Sequence, residues 1–316
     1  MERFSKTMND SIAIQTVGLT KYYGENLAVD HISFEVRAGE IFGFLGPNGA
    51  GKTTTVRILT GVIKEDEGSA TIMGHKVGSL DAKQITGVVP EMANAYADLS
   101  GWSNLMLMAE LYGIPTREAS ESGMRLLQEL GLLERKDDLV KGYSKGMKQR
   151  LILSMALISE PQILFLDEPT SGLDVQSARL IKDLIRQLNT QGKTVFLTTH
   201  DMDEANQLCN RIAVINRGKL AAIDTPERLR MATSGLRSVE VSFDTIVDSG
   251  VLAGFPGVST VKQLGDKFKL YTVDPGQLVT SLVSYSASNG LKIVSLNTLA
   301  PSLEDAFLAL VEKGAK

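Results

Sequence analysis

Gly46-Pro47-Asn48-Gly49-Ala50-Gly51-Lys52-Thr53-Thr54 sets two glycines, a lysine and a hydroxyl at the spacing G-x-x-x-x-G-K-[ST]. That spacing belongs to a loop that holds phosphate between a strand and a helix. Both flanks agree. Ile41-Phe42-Gly43-Phe44-Leu45 is a short apolar run of the kind a buried parallel strand needs, and Thr53 to Thr60 reads as a helix closed by Gly61. Glycine lets successive backbone N–H groups turn inward around an anion. The helix N-terminus adds partial positive charge at the same point. Lys52 supplies a full charge for β- and γ-phosphates, and Thr53 a hydroxyl for Mg²⁺. A plain glycine-rich turn does not require eight positions and both flanks to agree.

Composition narrows the partners. The formal net charge is -4, with no basic tract, so the electrostatic footprint of a nucleic-acid binder is missing. Hydrophobic residues at 43% and charged residues at 22% suit an ordinary packed core, and 316 residues suffice for a large domain and a smaller one. Cys209 is the single cysteine, which excludes an internal disulfide and suits a small buried side chain in a reducing compartment. The longest apolar run, Leu151–Ile158, is broken by Ser154 and too short to cross a bilayer. Met1 to Lys6 mixes charges and leads into no apolar stretch. The chain is therefore expected to be soluble by itself, with a partner holding it wherever it works at a membrane.

Further along, strands and helices alternate. Residues 1–10 read as a polar tail, and Ile12–Ile14 and Ile32–Val36 as short strands. Between those strands Tyr22-Tyr23-Gly24 sets paired aromatics before a turn, where a ring packs or faces a ligand. Gly68–Gly74 and Ile85–Val89 are further strands, the second stopped by Pro90. Amphipathic helices are expected at Asn104–Tyr112, Arg117–Leu130 and Gly146–Ser159, the first two ended by Gly113 and Gly131. Met106 and Met108, two apart, cannot share one narrow helix face. Ile163–Leu166 and Thr194–Thr199 are buried strands flanking a helix over 176–189, and Arg211–Asn216 is another strand. This alternation predicts an α/β fold with a parallel sheet, whose ligand groups collect at strand carboxyl ends. From about residue 238 the order becomes β-α-β-β-α-β and then a last helix behind Ser302 and Asp305, a capping-box pair. That order is ferredoxin-like.

The remaining chemistry sits at strand ends. Asp167 closes its apolar strand, suited to hold Mg²⁺ directly or through water. Glu168 is its neighbour, and strand alternation would aim it elsewhere, toward an attacking water. His200 ends the adjacent strand, where it is either structural or in reach of a γ-phosphate oxygen. Ser144-Lys145-Gly146 opens a helix, which is either an ordinary cap or a second phosphate seat.

In order, these segments resemble the nucleotide-binding subunit of an ATP-binding cassette (ABC) transporter over roughly residues 12–230. Five motifs carry the likeness: the phosphate loop, Tyr143–Met147, Asp167-Glu168, Ser171-Gly172-Leu173-Asp174, and His200. Tyr143–Arg150, with a C-terminal extension ending Ala300–Phe307, is similar to the ABC-2 export subfamily. The resemblance implies a P-loop NTPase core at 12–235, with an antiparallel β subdomain and a helical subdomain near 92–160, and an accessory domain at 238–316. It implies Tyr23 stacked on adenine, and Asn48 and the loop amides around the phosphates of ATP. Ser144 and Gly146 would reach the γ-phosphate held by a second copy, Asp174 would lie at that interface, and a separate membrane permease would be driven. Two positions depart from the family pattern: Glu91 stands where glutamine is usual, as a further Mg²⁺ candidate, and Lys145 replaces a glycine. A mechanical ATPase acting on ribosomes or DNA, and a nucleotide-sensing regulator, are the alternatives. The segment 238–316 is expected to serve dimerisation or regulation.

Overall fold

The computed structural model describes residues 11–92, 95–232 and 237–313, so the expected polar tail lies outside the described residues. By compactness the chain forms two units, one reaching Thr225 and the other starting at Pro226.

The first unit starts with a hairpin of β1 (Ile12–Tyr23) and β2 (Asn26–Arg37). These are far longer than the short strands expected there. Pairing carries through the polar stretch to Tyr23↔Asn26, around Gly24 at φ 60. Hydrogen bonding to a neighbour satisfies backbone groups whatever the side chains, so an apolar pattern marks only the buried part of such a strand. β3 (Ile41–Leu45) leads into α1 (Lys52–Leu59), followed by β4 (Glu67–Ile72), β5 (His75–Lys76), α2 (Leu80–Gln84) and β6 (Thr86–Val89). Three helices come next, α3 (Gly101–Leu111), α4 (Thr116–Glu129) and α5 (Lys145–Leu157), within a residue or three of their expected spans. The unit ends with β7 (Ile163–Asp167), α6 (Val175–Thr190), β8 (Thr194–Thr199), α7 (Met202–Leu208), β9 (Arg211–Asn216) and β10 (Lys219–Asp224). The short α2 and α7 carry too few residues for a periodic signal.

Six strands form the main sheet in the order β10-β9-β3-β8-β7-β6, parallel throughout except for the β9–β10 hairpin. A second, antiparallel sheet runs β2-β1-β4-β5. Phe34 of β2 packs its ring 5.7 Å from Phe42 and 5.6 Å from Phe44 of β3, and Phe196 of β8 lies 5.4 Å from Phe165 of β7. All five rings are buried, and each contributes ~1.5–3 kcal/mol by leaving water. This aromatic seam joins the sheets and fixes the carboxyl ends of β3, β7 and β8 side by side. Helix ends follow local chemistry: Ser144 caps α5 by accepting from Met147 N–H, and Asp174 caps α6 by accepting from Ser177 N–H. Ile181, Leu184, Ile185 and Leu188 form the buried stripe of α6.

The second unit contains α8 (Pro226–Ala232), β11 (Arg237–Phe243), α9 (Ser249–Ala253), β12 (Val258–Leu264), β13 (Lys267–Thr272), α10 (Pro275–Ser288), β14 (Ile293–Leu299) and α11 (Leu303–Lys313). Its antiparallel sheet runs β12-β13-β11-β14, the order of a split βαβ arrangement. Val239, Val241, Phe268, Leu270, Leu278 and Leu282 form its core.

Behind the opposite face of that sheet Asp305 accepts from Ser302 N–H (2.9 Å), Ser302 Oγ (2.7 Å), Tyr271 Oη (2.7 Å) and Lys269 Nζ (3.2 Å). Burial alone would raise its carboxyl, but these donors, Ser302 foremost, hold it below the ordinary carboxylate range. A lowered folded value means that the carboxylate stabilises above the unfolded pKa of about 3.9 and loses that effect as pH falls through the folded value. Asp305→Ala removes the cap and leaves buried Lys269 without its partner. Urea unfolding at neutral pH should show a loss of about 3–5 kcal/mol in this unit, shrinking below pH ~4. A neutral effect at pH 7 would show that the cluster contributes no net stability.

Candidate functional site

The phosphate loop runs from the end of β3 into α1. Gly51 takes φ 104, and a Cβ there would lie 2.5 Å from the Ala28 carbonyl oxygen. At Gly46 a Cβ would lie 2.4 Å from the Ile215 carbonyl oxygen. Neither position admits a side chain. The first turn of α1 carries no acidic residue, so its partial positive charge is uncompensated. Lys52 is buried, and its Nζ donates to the carbonyls of Gly46 (2.7 Å) and Pro47 (3.2 Å) and lies 3.2 Å from Glu168 Oε1.

Asp167 ends β7 and accepts a short hydrogen bond from Thr198 Oγ1 of β8. Glu168 follows at φ 51, beyond the strand. Strand alternation therefore does not set its direction, contrary to the sequence expectation. The left-handed turn does, together with its N–H donating to Thr198 O (3.1 Å). Its side chain is nearly buried. Oε2 lies 2.8 Å from His200 Nδ1, while Oε1 has the Lys52 ammonium beside it and no hydrogen bond. An ionised carboxylate only accepts, so Nδ1 carries the hydrogen of the His200 contact.

A cavity of about 560 Å³ opens over the loop. Tyr23, Asn48, Gly49, Gly51, Lys52, Thr53, Thr54, Glu91 and Glu168 line it, as do Asn26, Leu27, Ala28, Arg217 and Gly218. Nine of the expected site residues thus meet, from β1, the loop, α1 and the ends of β6 and β7. Gly46, Pro47 and Ala50 shape the loop without lining the cavity; two of their carbonyls hold Lys52 and the third accepts from Gly218 N–H (2.9 Å). Asp167 is buried behind it, and His200 lines a separate cavity on the far side of Glu168. Of the five lining residues that sequence reasoning missed, Arg217 and Gly218 have an available signal: Asn216-Arg217-Gly218-Lys219 reads as a hairpin turn.

Ser144, Gly146 and Asp174 gather elsewhere. A Cβ on Gly146 would lie 2.4 Å from Ser177 Oγ and 3.6 Å from Asp174 Oδ2, so the start of α5 sits against the capped start of α6. Ser177, through its N–H and then its hydroxyl, holds the Asp174 carboxyl below its ordinary range. Lys145 Nζ donates to the Ser171 carbonyl (2.8 Å), and Ser171 N–H donates to the Glu168 carbonyl (3.1 Å). The lysine that departs from the family pattern therefore ties the helical segment to the turn carrying Glu168.

A parallel sheet with a lysine-bearing phosphate loop at one strand end, and Asp-Glu at another, defines a P-loop nucleotide-binding ATPase. A model of the ABC transporter family matches residues 29–171. Linearmycin resistance ATP-binding protein LnrL of Bacillus subtilis (strain 168) is 35% identical over 303 residues, covering 94% of this chain and 97% of that protein. Nod factor export ATP-binding protein I of Rhizobium sp. (strain N33) is 38% identical over 301 residues, covering 95% and 97%. A dimeric ATP-binding cassette solved in a post-hydrolysis state with ADP and Pi superposes with a TM-score of 0.62 at 25% identity, over 67% of this chain and 98% of that one. The chain belongs to the ABC transporter family, as an ATP-binding, ATP-hydrolysing subunit.

Proposed function

We propose that this chain powers export through a separate ABC-2 type permease, working as a pair with a second copy at the cytoplasmic face of the membrane. The observation that carries the hydrolytic part is Glu168 Oε1: a buried carboxylate oxygen, without a hydrogen bond, on the wall of the phosphate-loop cavity. It accepts a proton from a water placed in line with the γ-phosphorus; the water oxygen bonds to phosphorus as the β–γ bridging bond breaks, and ADP leaves. Lys52 and the loop N–H groups hold the phosphates. While the triphosphate is absent, Lys52 neutralises Glu168 (3.2 Å); phosphate oxygens draw the ammonium away and leave the carboxylate freer to act as a base. His200 steadies Glu168 through Nδ1. It donates to a phosphate oxygen through Nε2 only when both ring nitrogens are protonated.

The donor set fits Mg²⁺. Thr53 and Glu91 line the cavity and Asp167 lies behind it, while no cluster of three or more metal-binding side chains occurs among the described residues. Mg²⁺ keeps several waters and takes one or two carboxylates plus substrate phosphates, so a sparse oxygen set suits it. There it would offset the charge of the β- and γ-phosphates. Tyr23, half exposed at the end of β1, supplies a ring for adenine. Ser144, Gly146 and Asp174 form a surface for the nucleotide of the second copy. The second unit serves assembly or regulation.

No helix among the described residues is long and apolar enough to cross a membrane. The relatives named for export and resistance support a permease partner for this chain. Affinity purification of the tagged full chain from detergent-solubilised membranes tests this. A polytopic membrane protein should co-purify, with Mg²⁺-dependent ATPase activity. Recovery with ribosomes or DNA instead would overturn the transport reading.

A further inference from the structure

The geometry points to Arg217 as a further nucleotide-binding residue: its guanidinium engages the phosphate chain of the nucleotide in the phosphate-loop cavity. The inference rests on reading that cavity as the nucleotide site.

Arg217 and Gly218 form the two-residue turn between β9 and β10, closed by the pair Asn216↔Lys219. The turn is docked on the site by backbone bonds. Gly218 N–H donates to the Ala50 carbonyl inside the loop (2.9 Å), and Asp30 N–H of β2 donates to the Gly218 carbonyl (2.9 Å). The position of Arg217 relative to the phosphate loop is therefore set by main chain, and Arg217 lines the cavity with Lys52, Thr53 and Glu91.

Charge accounting singles it out. The cavity wall holds two cations, Lys52 and Arg217, and two carboxylates, Glu91 and Glu168. Lys52 is committed to two carbonyls and Glu168. Lys219, on the same hairpin, is tied to Asp30 Oδ2 at 3.2 Å. Exposed Arg217 has no hydrogen bond or ion pair for its side chain among the described residues. Glu91 adds a negative charge to a site that must receive a polyphosphate, and a free guanidinium offsets it. A planar fork of donors matches phosphate oxygens two at a time. The backbone bond to Ala50 sets the turn that carries this fork directly against the phosphate loop. Moreover, Arg217 takes φ 48, where turns of this kind favour asparagine or glycine. Turn chemistry alone does not account for an arginine there.

Titration calorimetry on the full chain with Mg-ATP and Mg-GTP tests the proposal, using Arg217→Asn, which suits the turn, and Arg217→Lys. Arg217→Asn should weaken both nucleotides by the same factor, about 10-fold at low salt, with the difference shrinking as salt rises. Arg217→Lys should recover part of the loss. Unchanged affinity in Arg217→Asn would overturn the proposal. So would a loss confined to one of the two bases, which would assign the guanidinium to the ring and not the phosphates. Wild-type chain that bound neither nucleotide would overturn the reading of the cavity itself, and this proposal with it.

Discussion

Glu168→Gln should leave ATP binding intact and lower turnover by ~10²–10⁴-fold, the usual weight of a general base. The amide matches the carboxylate in shape. It still meets His200 Nδ1, at 2.8 Å in the parent, but cannot take the proton of an attacking water at neutral pH. Removing one negative charge from the cavity wall also favours the polyphosphate, so affinity should hold or rise. ATP would then persist, and the ATP-bound paired form should accumulate in size-exclusion chromatography. Phosphate release gives the rate and calorimetry the affinity. Turnover within about 10-fold of wild type would remove Glu168 from this role and return the carboxylate to a structural one.

Lys52→Ala is expected to act on two properties at once. Its ammonium is the buried charge among the loop's donors, so ATP affinity should fall by about 10–100-fold. The same substitution strands Glu168, nearly buried, whose Oε1 lies 3.2 Å from Nζ. The carboxylate keeps only its His200 contact, and breaking a buried ion pair costs about 3–5 kcal/mol, so the nucleotide-free variant should unfold at lower urea. Adding Glu168→Gln should restore most of that stability and none of the affinity. This double-mutant cycle separates the latch between the two side chains from the grip on phosphate. A Lys52→Ala single variant as stable as the double variant would show that Lys52 and Glu168 do not depend on each other in the empty site.

The motifs that declared themselves in the sequence are those whose chemistry lies within a few consecutive residues. The phosphate loop is a strand, six residues and a helix in a row, and its glycines, lysine and threonine lie within nine consecutive positions. Asp167 closes one apolar strand and Glu168 follows it in the same way. Where direction depended on a dihedral angle, strand alternation was the wrong reason: Glu168 is aimed at Lys52 and His200 by a left-handed turn after the strand, and no residue pattern signals φ 51 there. The hairpin of β1 and β2 was legible only at its buried ends, because strand neighbours, and not polarity, decide how far pairing runs.

Phosphate binding, the acidic pair and the alternation that demands a parallel sheet are written in short-range order, since each needs only adjacent atoms. The company those groups keep is not. β9 lies beside β3 in the sheet, and that adjacency sets the 217–218 turn on the loop at Ala50. Lys145 meets Ser171 because α5 and α6 start against each other. Such pairs are far apart along the chain, and strand order and helix packing bring them together, so the full charge balance of the cavity appears only in the folded molecule.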